Sequence, residues 1–85
     1  MMRSHALHRY WIKLVPPAPV GFTLGCGVTA FSEDDARQQI ESRLRGSRAV
    51  VESVVADIDI SMLDQRHVIP NIGDCTIRGI WFPAQ

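Results

Sequence analysis

The 85-residue chain lacks net charge, with nine Lys+Arg against nine Asp+Glu. That absence argues against a nucleic-acid partner, because neutralised phosphates supply most of the affinity of such binders. No run approaches the roughly 18 apolar residues of a membrane span, and Met1 to Tyr10 lacks the apolar stretch of a secretory leader. No membrane partner is expected, and the expected location is cytoplasmic. Cysteine is scarce: Cys26 and Cys75 make no disulfide framework and read as thiols of a reducing compartment. There is no C-x-x-C and no H-x-x-x-H, the spacings that make a local metal chelate recognisable, so no metal and no cofactor is expected. The chain is also short. A domain of this size buries only about 60% of its unfolded surface or slightly more, which excludes two-domain clefts and leaves a thin core.

The charges that are present are segregated. Arg3, Arg9 and Lys13 come first without an acid; Glu33, Asp34 and Asp35 follow as an acidic run. Arg37, Arg43, Arg45 and Arg48 then stand against Glu41, and residues 49–75 hold Glu52, Asp57, Asp59, Asp64 and Asp74 against Arg66 alone.

Periodicity predicts four strands and a helix. Tyr10, Ile12 and Leu14 alternate with Arg9, Trp11 and Lys13, the period of two of a half-buried strand over 8–15. Pro16, Pro17 and Pro19 end it by removing ladder donors. A second strand is expected over 21–31, with Phe22, Leu24, Cys26, Val28 and Ala30 on one face and Gly25 and Gly27 on the other, where something packs closely or the strand bends. Ser32 opens a helix over about 32–45: a hydroxyl N-cap precedes three acids at the positive end of the dipole, and Ala36, Ile40 and Leu44 mark the buried stripe. Gly46 ends it. A third strand is expected over 49–60, carrying Asp57 and Asp59 on one face; Val51 and Val55 on that same face imply partial cover or a bulge. Residues 61–74 read as a long polar connection in which Ser61 and Asp64 cap a helical turn, and 75–82 as the last strand. The expected fold is α+β, a two-layer sandwich in the order β-β-α-β-β, mostly antiparallel, with one helix on one face. It is a single domain over 1–85, with 1–7 frayed. One helix does not cover four strands, so the uncovered face, bearing Trp11, Trp81 or Phe82 according to register, is the expected contact surface.

Five arrangements bear on chemistry. A Cys26–His67 pair would activate a thiolate only within hydrogen-bond reach, and a cysteine in an alternating apolar row reads first as core. Cys26, Cys75, His67 and Asp57 or Asp59 are metal-ligand types without ligand spacing, and His5 and His8 read as incidental. Asp57 and Asp59, about 7 Å apart on one strand face, suit acid–base work or a hard cation, but a solvated or partner-facing surface is the simpler reading. The helix arginines alternate with Glu33 and Glu41 and read as a pairing ladder. Finally, Asp64, His67, Asn71, Asp74, Arg78 and Trp81 concentrate the polar and aromatic groups of a recognition surface, unless His67 and Asn71 serve only their own backbone.

Taken together, Gly25-Cys26-Gly27-Val28-Thr29-Ala30, Ser32-Glu33-Asp34-Asp35-Ala36, Asp57-Ile58-Asp59, Leu63-Asp64, His67 to Gly73 and Arg78 to Pro83 make the chain resemble a group of small, functionally uncharacterised bacterial proteins. The resemblance spans 8–83 and implies one compact unit, with no catalytic assignment. Its implied role is partner binding, immunity proteins that block a toxin included, by analogy with other small acidic-and-aromatic bacterial domains. The expectation is therefore a non-enzymatic protein-binding module, immunity- or antitoxin-like, with a basic protein partner held by Asp57, Asp59, Asp64, His67, Asn71, Arg78 and Trp81. The alternatives are a small enzyme or ligand-binding protein using Cys26 and His67, and a structural homodimer.

Overall fold

A computed structural model describes residues 6–46 and 49–83. The elements are β1 (His8–Leu14), β2 (Cys26–Ala30), α1 (Glu33–Arg43), β3 (Val51–Ala56) and β4 (Gly79–Phe82), with short 3-10 turns at Ile60–Met62 and Ile69–Asn71. The strands form one antiparallel sheet in the order β3-β1-β2-β4, and α1 lies over β2 and β4. This is the expected α+β class. The expected fraying at 1–7 and the incidental His5 fall mainly on 1–5, outside the described residues.

The alternation in β1 works as its sequence dictates. Tyr10, Ile12 and Leu14 point to the helix side and join Phe22, Cys26, Val28, Ala30, Ala36 and Ile40 in one core. Trp11 points to the other side. Ser32 caps α1 by accepting from the Asp35 amide at 3.1 Å, and the acids of the first turn sit where the helix dipole favours them. Ala36 and Ile40 are buried as expected, with Leu44 half-buried at the C-cap.

The strands are shorter than their apolar patterns. Residues 19–25 form two consecutive turns, Phe22 N–H to Pro19 O at 2.9 Å and Gly25 N–H to Phe22 O at 3.2 Å, and Gly25 sits at φ +124°, a conformation only glycine adopts readily. β2 therefore begins at Cys26, and Leu24 is exposed. β3 stops at Ala56 because Asp57 adopts a left-handed φ of 54°. Two bulges redirect side chains. In β3 Lys13 faces Ser53 but Leu14 faces Val51, so Glu52 is the extra residue and Val51 turns to the helix-side core. In β4 Gly27 faces Phe82 while Val28 faces Ile80, so Trp81 is the extra residue, and Trp81 and Phe82 lie on the same side instead of alternating.

The face away from the helix is not open, contrary to the expected uncovered surface. Residues 57–78 fold across it. Leu63 and Val68, with Ile58, Ile60, Ile69, Ile72 and Cys75, pack on Trp11, Trp81 and Phe82 in a second core. The indole of Trp11 lies 6.1 Å from that of Trp81 and 5.7 Å from the Phe82 ring, centroid to centroid, within the range of favourable aromatic pairing. The glycines make room for it. Val55, Trp11, Gly27 and Phe82 form one row across the sheet, and the Trp81 ring occupies the space a Gly27 side chain would fill. Trp11 covers Gly25 in the same way. The close approach expected at these two glycines is thus made by two tryptophans.

Candidate functional site

The cover segment 57–78 carries most of the sequence-predicted site residues, and its side chains divide by direction. Ile58, Ile60, Leu63, Val68, Ile69 and Ile72 go inward, while Met62 and Ile77 stay exposed. Asp57, Asp59, Asp64, His67 and Asn71 remain exposed on the outside. Asp57 and Asp59 do not share a strand face as expected, because the left-handed residue 57 ends the strand before the pair. Asp59 instead caps the first 3-10 turn, accepting from the Ser61 hydroxyl at 2.7 Å and the Ser61 amide at 3.0 Å. Ser61 is thus the donor of this cap and not the cap itself. Asp64 accepts from the amides of Arg66 at 2.8 Å and His67 at 2.9 Å, the capping role its position suggests. Asn71 Nδ2 donates to His67 O at 3.0 Å, and Asp74 accepts from the Thr76 amide at 2.8 Å. These bonds hold the carboxyls of Asp59, Asp64 and Asp74 below the usual aspartate range: the Ser61 hydroxyl first for Asp59, the His67 amide for Asp64, the Thr76 hydroxyl for Asp74. The outer surface is therefore a set of ionised carboxylates fixed by their own turns.

Several hydrogen bonds fasten this segment to the sheet, among them the Ile58 amide to Arg9 O at 3.0 Å. Arg9 and Thr29, cross-strand partners in β1 and β2, both donate to Cys75 O, at 3.2 Å from Nε and 2.7 Å from Oγ1. The Gly73 amide donates to Trp81 O at 2.7 Å. At the entry, His8 Nδ1 lies 2.8 Å from Asp57 Oδ1. His8 is a clamp on the end of β3 and not an incidental terminal residue. Its signal was present in the pattern, since it is the first residue of the β1 alternation.

Two expected contact residues are committed elsewhere. Trp81 is 1% exposed and is a core residue, so it offers no surface anchor. Arg78 donates from Nε to Asp35 Oδ2 at 2.9 Å and from Nη2 to Asp35 Oδ1, and its guanidinium lies over the Phe31 ring, 5.9 Å from the centroid. This forked pair ties the end of the cover segment to the first turn of α1. The Arg78 bonds, more than anything else, hold the Asp35 carboxyl below its ordinary range. A depressed folded value means that the contribution is present above about pH 4, the ordinary aspartate value, and is lost as pH falls through the folded one. The melting temperature of the native chain should therefore drop more steeply below about pH 4 than that of Asp35→Asn, modestly so because the Arg78 side chain is half-exposed. Equal slopes in a thermal series over that range would show that the pair contributes nothing.

The Cys26–His67 dyad is ruled out by position. Cys26 is fully buried in the helix-side core, whereas His67 stands on the segment that covers the opposite face. Burial pushes the Cys26 thiol up to about 12, the reverse of an activated nucleophile. In the native chain at pH 8, Cys75 should react with an aromatic disulfide reagent while Cys26 reacts only on unfolding; two equally fast thiols in a stopped-flow trace would contradict this burial. Among the described residues no group of three or more His, Cys, Asp and Glu is placed to hold a metal ion. Two open recesses lie on the helix side. One of about 570 Å³ is lined by Gln38, Gln39, Ser42, Arg43, Arg78 and Ile80; another of about 430 Å³ runs between α1 and β3 over Leu14, Ile40, Leu44 and Val51. Neither joins a nucleophile to a base. No helix of the described residues is long and apolar enough to cross a membrane. Comparison with known proteins found no family model that matches the chain, and no curated protein or solved structure similar to it.

Proposed function

We propose that the chain is a small protein-binding module whose contact surface is the outer side of the 57–78 cover segment. The observation that carries this reading is the build of that segment: a long connection without extended regular structure, packed inward on two tryptophans and capped outward by its own aspartates. Connections longer than about 12–15 residues that are nonetheless ordered are commonly functional. Fixing the carboxylates before the encounter lowers the ordering cost of binding. Asp57, Asp59, Asp64, His67 and Asn71, with the 78%-exposed Met62 among them, suit a basic protein surface surrounding a small apolar spot. Charge complementarity of this kind favours encounter rate and partner choice. An immunity- or antitoxin-like role, blocking a basic partner by occlusion, needs this surface and no pocket. We place the module in the cytosol, where the free thiols of Cys26 and Cys75 are stable.

The test is affinity capture from the native host at low salt, comparing the native chain with the triple variant Asp57→Asn, Asp59→Asn and Asp64→Asn. Asparagine tolerates the left-handed conformation at 57 and still accepts at a cap, so the fold is retained. The expected result is a salt-sensitive protein partner retained by the native chain and lost by the variant. Recovery of the same partner by both chains would move the contact surface elsewhere, and the absence of any specific partner would reject the module.

A further inference from the structure

We propose that β3 is a dimerisation edge, on which a second copy of the chain pairs antiparallel about a two-fold axis at Val54. The sheet order leaves β3 and β4 as edges, and the two differ. β4 has four residues, with Trp81 and Phe82 buried, and the Arg78–Asp35 pair ties its entry to α1. β3 has six residues, none of them buried, and α1 lies over β2 and β4. Val55 is 46% exposed and the adjoining Val50 58%. An edge of this length rich in valine is the kind that natural sheets protect or pair.

The occupant follows from the geometry of the strand itself. A two-fold axis perpendicular to a sheet carries each residue onto the same face, and facing residues of an antiparallel pair also share a face. The residues paired across such an axis must therefore have the same parity. Regular backbone is bounded by the bulge residue Glu52 and the left-handed Asp57, which leaves 53–56. Centring on Val54 puts three residues of this window in regular pairing: Val54 faces Val54 of the second copy, and Ser53 faces Val55. Glu52 then lies opposite Ala56, so no acid meets an acid. The row through the axis reads Ile12, Val54 and then the same pair reversed. The next row reads Trp11, Val55 and then Ser53 and Lys13 of the second copy, a single cation that meets no other. Centring on Val55 also pairs three window residues, but it ends with Ser53 against the left-handed Asp57. The bulge, ordinarily a device that discourages edge pairing, here shortens it to a few residues around Val54.

The surface is distinct from the outer side of 57–78, so this dimer stands or falls independently of the binding reading. Sedimentation of the full chain at about 10 to 200 µM, the regime of weak interfaces below about 1,200 Å², should show a concentration-dependent monomer–dimer equilibrium. In a Cys75→Ser background, Val54→Cys should form a covalent dimer under mild oxidation, because facing α-carbons about 4.5–5.5 Å apart suit a disulfide. Ala56→Cys, facing Glu52, should cross-link at least ten-fold more slowly. Val54→Lys, which sets two cations face to face, should sediment as monomer throughout. A native chain that remains monomeric over the whole range overturns the proposal, as does cross-linking of Ala56→Cys as fast as Val54→Cys; the cysteine pair decides the matter even if the lysine variant fails to fold.

Discussion

Gly27→Ala is expected to cost about 3 kcal/mol, the upper end of what overpacking a close-fitted core usually costs. The reason is space and not backbone freedom. A Cβ at this position would fall inside contact distance of the six-membered ring of Trp81, and that ring has nowhere to go. Trp11 and Phe82 flank it in the same row, and Leu63 and Val68 close it from outside. A chain of this length has about 4 to 13 kcal/mol in total, at 0.05–0.15 per residue. The loss is thus a quarter or more of the stability, and it should lower the melting temperature by about 12 °C or more. Gly73→Ala is the control: a Cβ there meets Trp81 O at 3.8 Å, ordinary contact, and the melt should stay within about 2 °C. Trp81→Leu in the Gly27→Ala chain should cost less than the sum of the two single changes, since the smaller side chain vacates the space the methyl needs. A Gly27→Ala chain that melts with the native one in calorimetry would mean that the Trp81 ring does not lie on this glycine.

The same pair of residues marks how far the sequence can be read. Strong local rules carried through: the alternation of Tyr10, Ile12 and Leu14, the Ser32 cap, the Ala36–Ile40 stripe, and the two glycines that required a close neighbour. What failed was the face each aromatic takes. Trp81 and Phe82 share a side because of a one-residue bulge, and nothing in Gly-Ile-Trp-Phe announces a bulge, which arises from pairing with β2. The covered second face was missed for a related reason. Residues 61–74 read as a polar connection because their acids and amides are conspicuous, yet they contain Leu63, Val68, Ile69 and Ile72, and Ile58 and Ile60, expected at the end of the third strand, join them in the second core. Those spacings match neither a strand nor a helix, so periodicity does not register them. Their number was the available signal, since a solvated loop has no use for four such side chains directly after a strand end that carries two more. The consequence for function is a change of side: the tryptophans expected to face a partner are the floor, and the segment lying on them provides the candidate surface.

That arrangement makes Leu63→Ala the second decisive change, with an expected loss of about 2 to 4 kcal/mol. Leu63 is buried in the cover segment against Trp11, Trp81 and Phe82. An ordinary surface loop tolerates truncation within about 0.5 kcal/mol, so the size of the effect separates a structural layer from a loop. Its distribution matters as much. The helix-side core of Tyr10, Ile12, Val28, Ala36 and Ile40 makes no use of Leu63, and the bonds within the cover segment are local caps. Hydrogen exchange in the variant should therefore accelerate first at 58–76 while the amides of β1, β2 and α1 keep most of their protection. Tryptophan emission should move to longer wavelength as Trp11 and Trp81 meet water. Function is linked to the same equilibrium: if the binding surface exists only while the segment is seated, the apparent affinity for the partner falls by the fraction of molecules in which it is seated. Leu63→Ala should then weaken partner binding without altering any exposed contact residue, whereas Ile40→Ala, on the opposite side of the sheet, should lower stability by a similar about 2 to 5 kcal/mol and leave the affinity of the folded molecules unchanged. Uniform loss of exchange protection across the chain in Leu63→Ala would instead mean that the two cores melt as one unit, and the separate effect on binding would disappear with it.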